Sequence, residues 1–165
     1  MSNIVKLTEM DASELRLVEK SLIGLRKCYP QFGSWYESKV LPNLKDNTRR
    51  IFLASDINGF SGAMILKSTP TEKKVCTLYV RDDARLRHIG VDLVRIATEE
   101  LETYKLPITV SEEAKDWFFN NSNFNFYTKQ KVDNCYIDGQ NEYFGYIMCH
   151  NFDNELRRNK NGKRN

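Results

Sequence analysis

Apolar residues recur at helical spacing over Leu15, Val18, Leu22 and Leu25, and again over Val91, Val94, Ile96, Ala97 and Leu101. The other apolar segments are short runs bounded by turn residues, which predicts strands over Ile4–Leu7, Arg50–Ser55, Phe60–Leu66, Val75–Val80, Pro107–Ser111, Phe124–Thr128 and Glu142–Cys149. Asn58-Gly59 has the form of a tight hairpin turn, Thr69–Lys73 is a second turn, and Asp138-Gly139 marks a loop. Asp11 with Glu14, and Ser34 with Glu37, read as capping boxes; the second opens a short helix ending near Pro42. Ser111 is placed to cap a further helix, with Glu112 and Glu113 in its first turn and Trp117, Phe118 and Phe119 on its apolar face. The order is β-α-α-β-β-β-α-β-α-β-β. A helix joins Val75–Val80 to Pro107–Ser111, so those two strands should run parallel. The fold class expected is α/β, a mixed and mostly antiparallel sheet with a central β-α-β crossover and flanking helices.

Composition narrows the class. The chain has 165 residues, 41% of them hydrophobic, which fits a single globular domain over residues 1–150. The net charge is +3. Residues 151–165 hold Arg157, Arg158, Lys160, Lys163 and Arg164 against Asp153 and Glu155, so this basic tail, expected to be disordered, accounts for all of it. The neutral body gives no support to a nucleic-acid partner; the tail alone could attract an RNA. Cys28, Cys76, Cys135 and Cys149 form no paired motif, and His88 and His150 are far apart, which argues against a metal or a disulfide framework. Cys76 and Cys149 lie in apolar runs and are expected to be buried. The N-terminus lacks a signal-peptide apolar region and no run is long enough to span a membrane, so a cytoplasmic protein without membrane contact is expected.

One stretch carries the candidate chemistry. Val75–Val80 feeds a turn, Arg85-Leu86-Arg87-His88-Ile89-Gly90, which opens the helix through Val91 and Val94. A strand entering a helix through such a turn aims unpaired N–H groups and the positive helix end at one point, a site suited to a pyrophosphate. Arg85 and Arg87 add positive charge there, or form a solvated basic turn.

The element order, the central strand, this turn, the strand at Ile108–Val110 and the segment Phe118–Phe124 resemble the GNAT superfamily of acyl-CoA-dependent N-acetyltransferases, over about residues 3–149. The resemblance implies that amides of Leu86, Arg87, His88, Ile89, Gly90 and Val91 wrap the pyrophosphate of coenzyme A. It implies that Leu78, Tyr79 and Val80 line the pantetheine arm, Leu78 and Val80 through their backbones, with the thioester between this strand and Val110. It implies acetyl transfer from acetyl-CoA to an amine, of a small molecule or a protein, by direct attack. Three positions depart from the family pattern: His88 replaces a glycine, Phe119 replaces a tyrosine that serves as acid, and Asn123 replaces a second glycine. The reaction needs a base for the amine and a backbone N–H for the oxyanion. Glu72 and Glu112 are the candidate bases, each with a plainer reading as a turn or first-turn carboxylate, and Tyr127 and Tyr79 are candidate replacement acids. Trp35 and Tyr36 fall where first helices border an acceptor site. Two alternatives stay open: a GNAT-like module that binds coenzyme A or a protein without turnover, and a toxin-like acetyltransferase acting on aminoacyl-tRNA. Dimerisation also stays open, since final strands pair across subunits in similar proteins.

Overall fold

The computed structural model describes residues 3–24 and 29–149, Leu86 by its backbone alone. Its strands are β1 (Asn3–Leu7), β2 (Arg49–Asp56), β3 (Gly59–Ser68), β4 (Lys73–Val80), β5 (Lys105–Ser111), β6 (Asn125–Val132) and β7 (Glu142–Met148). The helices are α1 (Ala12–Leu22), α2 (Phe32–Trp35), α3 (Ile89–Leu101) and α4 (Lys115–Phe119). The strands form one sheet in the order β1-β2-β3-β4-β5-β7-β6. Every pairing is antiparallel except β4 with β5, the expected crossover through α3. No helix among the described residues is long and apolar enough to cross a membrane.

Alternation along the strands supplies two cores. One face of the sheet, through Phe52, Met64, Leu66, Val75, Leu106 and Ile108, packs against α3 and α4. The other, through Ile51, Leu53, Ala63 and Ile65, packs against α1 and the helical segment 32–43. The stripe Leu15, Val18 and Leu22 is buried as its spacing predicts, and Val91, Val94, Ala97 and Leu101 are buried in α3, with Ile96 half-buried. Leu25, Cys28, His150 and the basic tail lie outside the described residues.

Of the three expected caps, neither capping box forms. The Asp11 carboxylate turns back to accept from the Thr8 N–H (2.7 Å) and hydroxyl (3.1 Å), leaving α1 without a side-chain cap. Ser34 lies inside α2, which starts at Phe32 and continues through a π turn (Tyr36–Val40) and a 3₁₀ turn (Leu41–Asn43) past Pro42. The buried anchors Phe32, Tyr36 and Val40 set the position of that segment in place of a cap. Ser111 ends β5 and its hydroxyl accepts from the Ala114 N–H at 3.3 Å, so it caps the turn that leads into α4, and Glu112 and Glu113 lie in that turn rather than in the helix. Cys149 is buried as expected, but Cys76 is only half-buried because it borders a cavity.

Candidate active site

The sheet comes apart between its central parallel strands. β4 and β5 pair only at Val75↔Ile108. Beside that contact β4 carries a bulge: Leu66 faces Val75 and Ile65 faces Thr77, which leaves Cys76 as the extra residue. A bulge bends its strand, and from here β4 diverges from β5. The Arg81 N–H donates to the Ser61 carbonyl across β3 at 2.8 Å. Backbone groups point alternately to the two sides of a strand, so those of Leu78 and Val80 face the gap. From Val75 to Val80 the open edge is about 16 Å long at the usual rise per residue.

At the mouth of the gap stands the basic turn. Asp82–Arg87 winds as a 3₁₀ helix and His88 takes the left-handed conformation (φ 59°, ψ 14°) before α3 begins. The His88 carbonyl accepts from Asp92 N at 3.0 Å, so the amides of Ile89, Gly90 and Val91 start the helix with no carbonyl one turn behind them. They border a cleft of about 360 Å³ whose walls include Arg85, His88, Gly90, Val91 and Trp117. The side chain of Ile89 is buried, leaving only its backbone for such a role. Tyr79 points to the opposite face and stacks on Phe60 at 6.2 Å.

The charge of this turn differs from the sequence expectation. Arg87 Nη1 pairs with Asp56 at 3.0 Å and Arg81 Nη2 with the same carboxylate at 3.4 Å, the Asp56 side chain being only 3% exposed. Arg85 Nη2 pairs with Asp82 at 2.8 Å, and Arg81 Nε pairs with Asp83. Three aspartates thus offset three arginines, and Arg87 is drawn toward the β2–β3 hairpin. Arg85 alone of the three lines the cleft. Gly90 also has a role the sequence did not suggest. A Cβ there would come within 2.8 Å of Trp117 Cζ2, so the missing side chain makes room for the indole.

His88 is the position where glycine is cheaper, because a left-handed backbone crowds any Cβ. His88→Gly should stabilise the fold by about 0.5–1 kcal/mol. Urea unfolding checks it; a lower midpoint would show that the imidazole holds the turn.

A second cavity, also about 360 Å³, opens on the other face of the sheet at the apex of the gap. Val75, Cys76 and Thr77 of β4, Thr109 of β5 and Phe144 of β7 form its floor, and Tyr29, Phe32, Trp35 and Tyr136 its aromatic walls. Of the aromatic pair expected beside an acceptor, Trp35 lines this cavity, whereas Tyr36 is fully buried and its hydroxyl donates to the Leu15 carbonyl at 2.8 Å. Burial pushes the Cys76 thiol above its ordinary pKa, against the pull of Arg49. The Tyr29 hydroxyl lies 3.3 Å from the carboxylate of Glu142, a side chain in a residue only 2% exposed. Burial raises the Glu142 pKa above the usual carboxylate value.

The structure does not gather the expected acid–base residues. Glu72 sits in the β3–β4 turn, held by Lys67 (3.1 Å) and Lys74 (3.3 Å), whose hydrogen bonds lower its pKa. Glu112 follows β5, held by Lys115 (2.5 Å) and the Tyr143 hydroxyl (3.0 Å), and these bonds lower its pKa too. Carboxylates so held are weak proton acceptors. Tyr127 lies on the edge strand β6, stacked on Tyr146 at 5.3 Å and 43% exposed, with β7 between it and β5. Phe119 packs on Phe126 and Tyr143. Asn123 replaces glycine without a positive φ, its N–H turned to the Asn121 side chain at 2.9 Å. The residues missed are Glu142, Tyr29 and Arg49. For Glu142 a signal existed, a carboxylate opening an otherwise apolar run.

No family model matches the sequence, and no curated protein does. Solved structures do match. A protein assigned to the GNAT family of acetyltransferases from Desulfovibrio desulfuricans aligns over 90% of this chain and 99% of its own, with TM-score 0.67 and 10% identity. A GNAT-family acetyltransferase from Bacillus cereus aligns over 90% and 98%, with TM-score 0.61 and 18% identity. The PaiA N-acetyltransferase of Thermoplasma acidophilum, solved in complex with coenzyme A, aligns over 91% and 99%, with TM-score 0.60 and 15% identity. The chain has the GNAT acetyltransferase fold.

Proposed function

We propose that this protein is an acetyl-CoA-dependent N-acetyltransferase in which an acceptor amine attacks the thioester directly. The observation that carries the reading is the single β4–β5 contact at Val75↔Ile108, with a cleft at the α3 N-terminus on one side and a cavity at the apex on the other. Two ligands could then meet through the sheet at Cys76 and Thr77. The residues present fit coenzyme A: edge backbone groups at Leu78 and Val80 for an extended arm, the Val80 carbonyl now accepting from Arg85 Nε at 3.1 Å, and the amides of Ile89, Gly90 and Val91 at the start of α3 for a pyrophosphate. When bound, acetyl-CoA supplies the activated acyl carbon. Arg85 stands in the cleft, and a backbone N–H of β4 beside the bulge would hold the negative charge that develops at the thioester.

The raised pKa of Glu142 and its contact with Tyr29 support a proton route from the amine through the Tyr29 hydroxyl to the Glu142 carboxylate. Like Glu142, Glu72 touches a wall of the apex cavity, but through an ion pair with Lys74 that lowers its pKa, while Glu112 and Tyr127 do not line the cavity. The free thiols of Cys76 and Cys135 suit work in the cytoplasm. One observation favours a second reading, a module that binds without turnover: the arginines of the turn are offset by Asp56, Asp82 and Asp83. Release of free thiol from acetyl-CoA across a panel of amines separates the two. Amine-dependent release is expected; binding of the cofactor with no release for any amine would favour the module.

A further inference from the structure

The apex cavity carries charge of one sign. Arg49 and Lys74 line it, and no aspartate or glutamate does. Lys74 is committed, its ammonium lying 3.3 Å from Glu72. Arg49 is half-buried, with its guanidinium 5.5 Å above the Trp35 ring and Nη1 3.1 Å from the Cys76 sulfur. Among the described residues it has no carboxylate within ion-pair distance. A thiol is a weak acceptor, so a half-buried guanidinium is left with most of its donors directed at a ring, a sulfur and the cavity. Arginine's planar fork matches a carboxylate in two parallel hydrogen bonds.

The position of that fork sets the spacing of the ligand. Cys76 is the bulge residue beside the Val75↔Ile108 contact, where the gap closes. An anion on Arg49 therefore sits next to the apex, and an amine attacking at the apex can be only a short chain away. The walls beyond are the rings of Tyr29, Phe32, Trp35, Tyr136 and Phe144, which suit an apolar or aromatic body. A polyamine or a basic side chain would meet like charge.

We propose that the acceptor is an amino acid or close relative with a free carboxylate one or two carbons from its amine and an apolar or aromatic side chain, and that Arg49 binds the carboxylate. This rests on the acetyl-transfer reading of the same cavity. An aminoacyl ester, such as the end of a charged tRNA, lacks that carboxylate and would be disfavoured.

The test pairs phenylalanine, tryptophan and leucine with their amides as acceptors, followed by thiol release from acetyl-CoA. At least one free acid should exceed its amide at least ten-fold in kcat/KM, and Arg49→Met should bring that ratio toward one. Binding of the three N-acetylated acids, measured by calorimetry on the wild-type protein and on Arg49→Met, reads the anion site without turnover. Binding lost in the variant, even with no thiol release from any amine, upholds the anion site and overturns acetyl transfer. Amides used as well as acids, or N-acetylated acids that bind neither protein or both equally, overturn the role of Arg49.

Discussion

Glu142→Gln should lower turnover about 100-fold, roughly 2.7 kcal/mol of barrier, with little change in the apparent affinity for acetyl-CoA. Glutamine keeps an oxygen to accept from Tyr29, now 3.3 Å from the carboxylate, but it cannot take a proton. The acid limb of the pH–rate profile should disappear with it. In the wild type that limb should fall above the ordinary carboxylate range, because burial raises the Glu142 pKa. Stability should move the other way. A raised folded pKa means that the native state holds the proton more tightly than the unfolded chain. The buried carboxyl's contribution is then full below the unfolded pKa and is lost as pH rises through the folded value. Glutamine escapes that loss, so the variant should melt at or above the wild-type temperature at neutral pH. Activity within two-fold of wild type would remove Glu142 from the proton route.

Gly145→Ala should cost the fold about 3 kcal/mol, near the top of the range for overpacking, and lower Tm by roughly 10 °C. Gly145 of β7 lies against β6, and a Cβ there would stand 2.0 Å from the Tyr127 carbonyl oxygen and 3.0 Å from its carbon. Both atoms are backbone, so no rotamer relieves the clash and β6 must shift off β7. The same residue faces Ile108 of β5, whose pairing with Val75 closes the apex. Loss of acceptor-dependent activity should therefore accompany the melting shift. Calorimetric unfolding measures it; a Tm within about 2 °C of wild type would mean that the strands relax without cost.

Short apolar runs made the sheet legible in the sequence. The runs in Arg50–Ser55 and Phe60–Leu66, buried on both faces, read as central strands, the stripe from Val91 to Leu101 reads as a helix face, and the β-α-β rule then fixes β4 parallel to β5. Ser111 was legible as a cap, but the two capping boxes were not. Asp11 found a competing partner in Thr8, while buried anchors placed the segment around Ser34. The turn was legible as backbone geometry but not as charge. Arg87 and Arg81 meet Asp56 from a hairpin more than twenty residues away in sequence, a pairing only the fold creates. The apex cavity was hidden for the same reason: Tyr29, Arg49, Cys76 and Phe144 come from four separate segments. Of its walls only Trp35 was anticipated, because the resemblance pointed to the first helices.

The most direct measurement is a calorimetric titration of the wild-type protein with coenzyme A. A slot between β4 and β5 that takes the pantetheine arm, with the pyrophosphate on the turn Leu86–Val91, predicts saturable one-to-one binding that weakens as salt rises. The absence of any binding heat or thermal stabilisation at millimolar coenzyme A would contradict it.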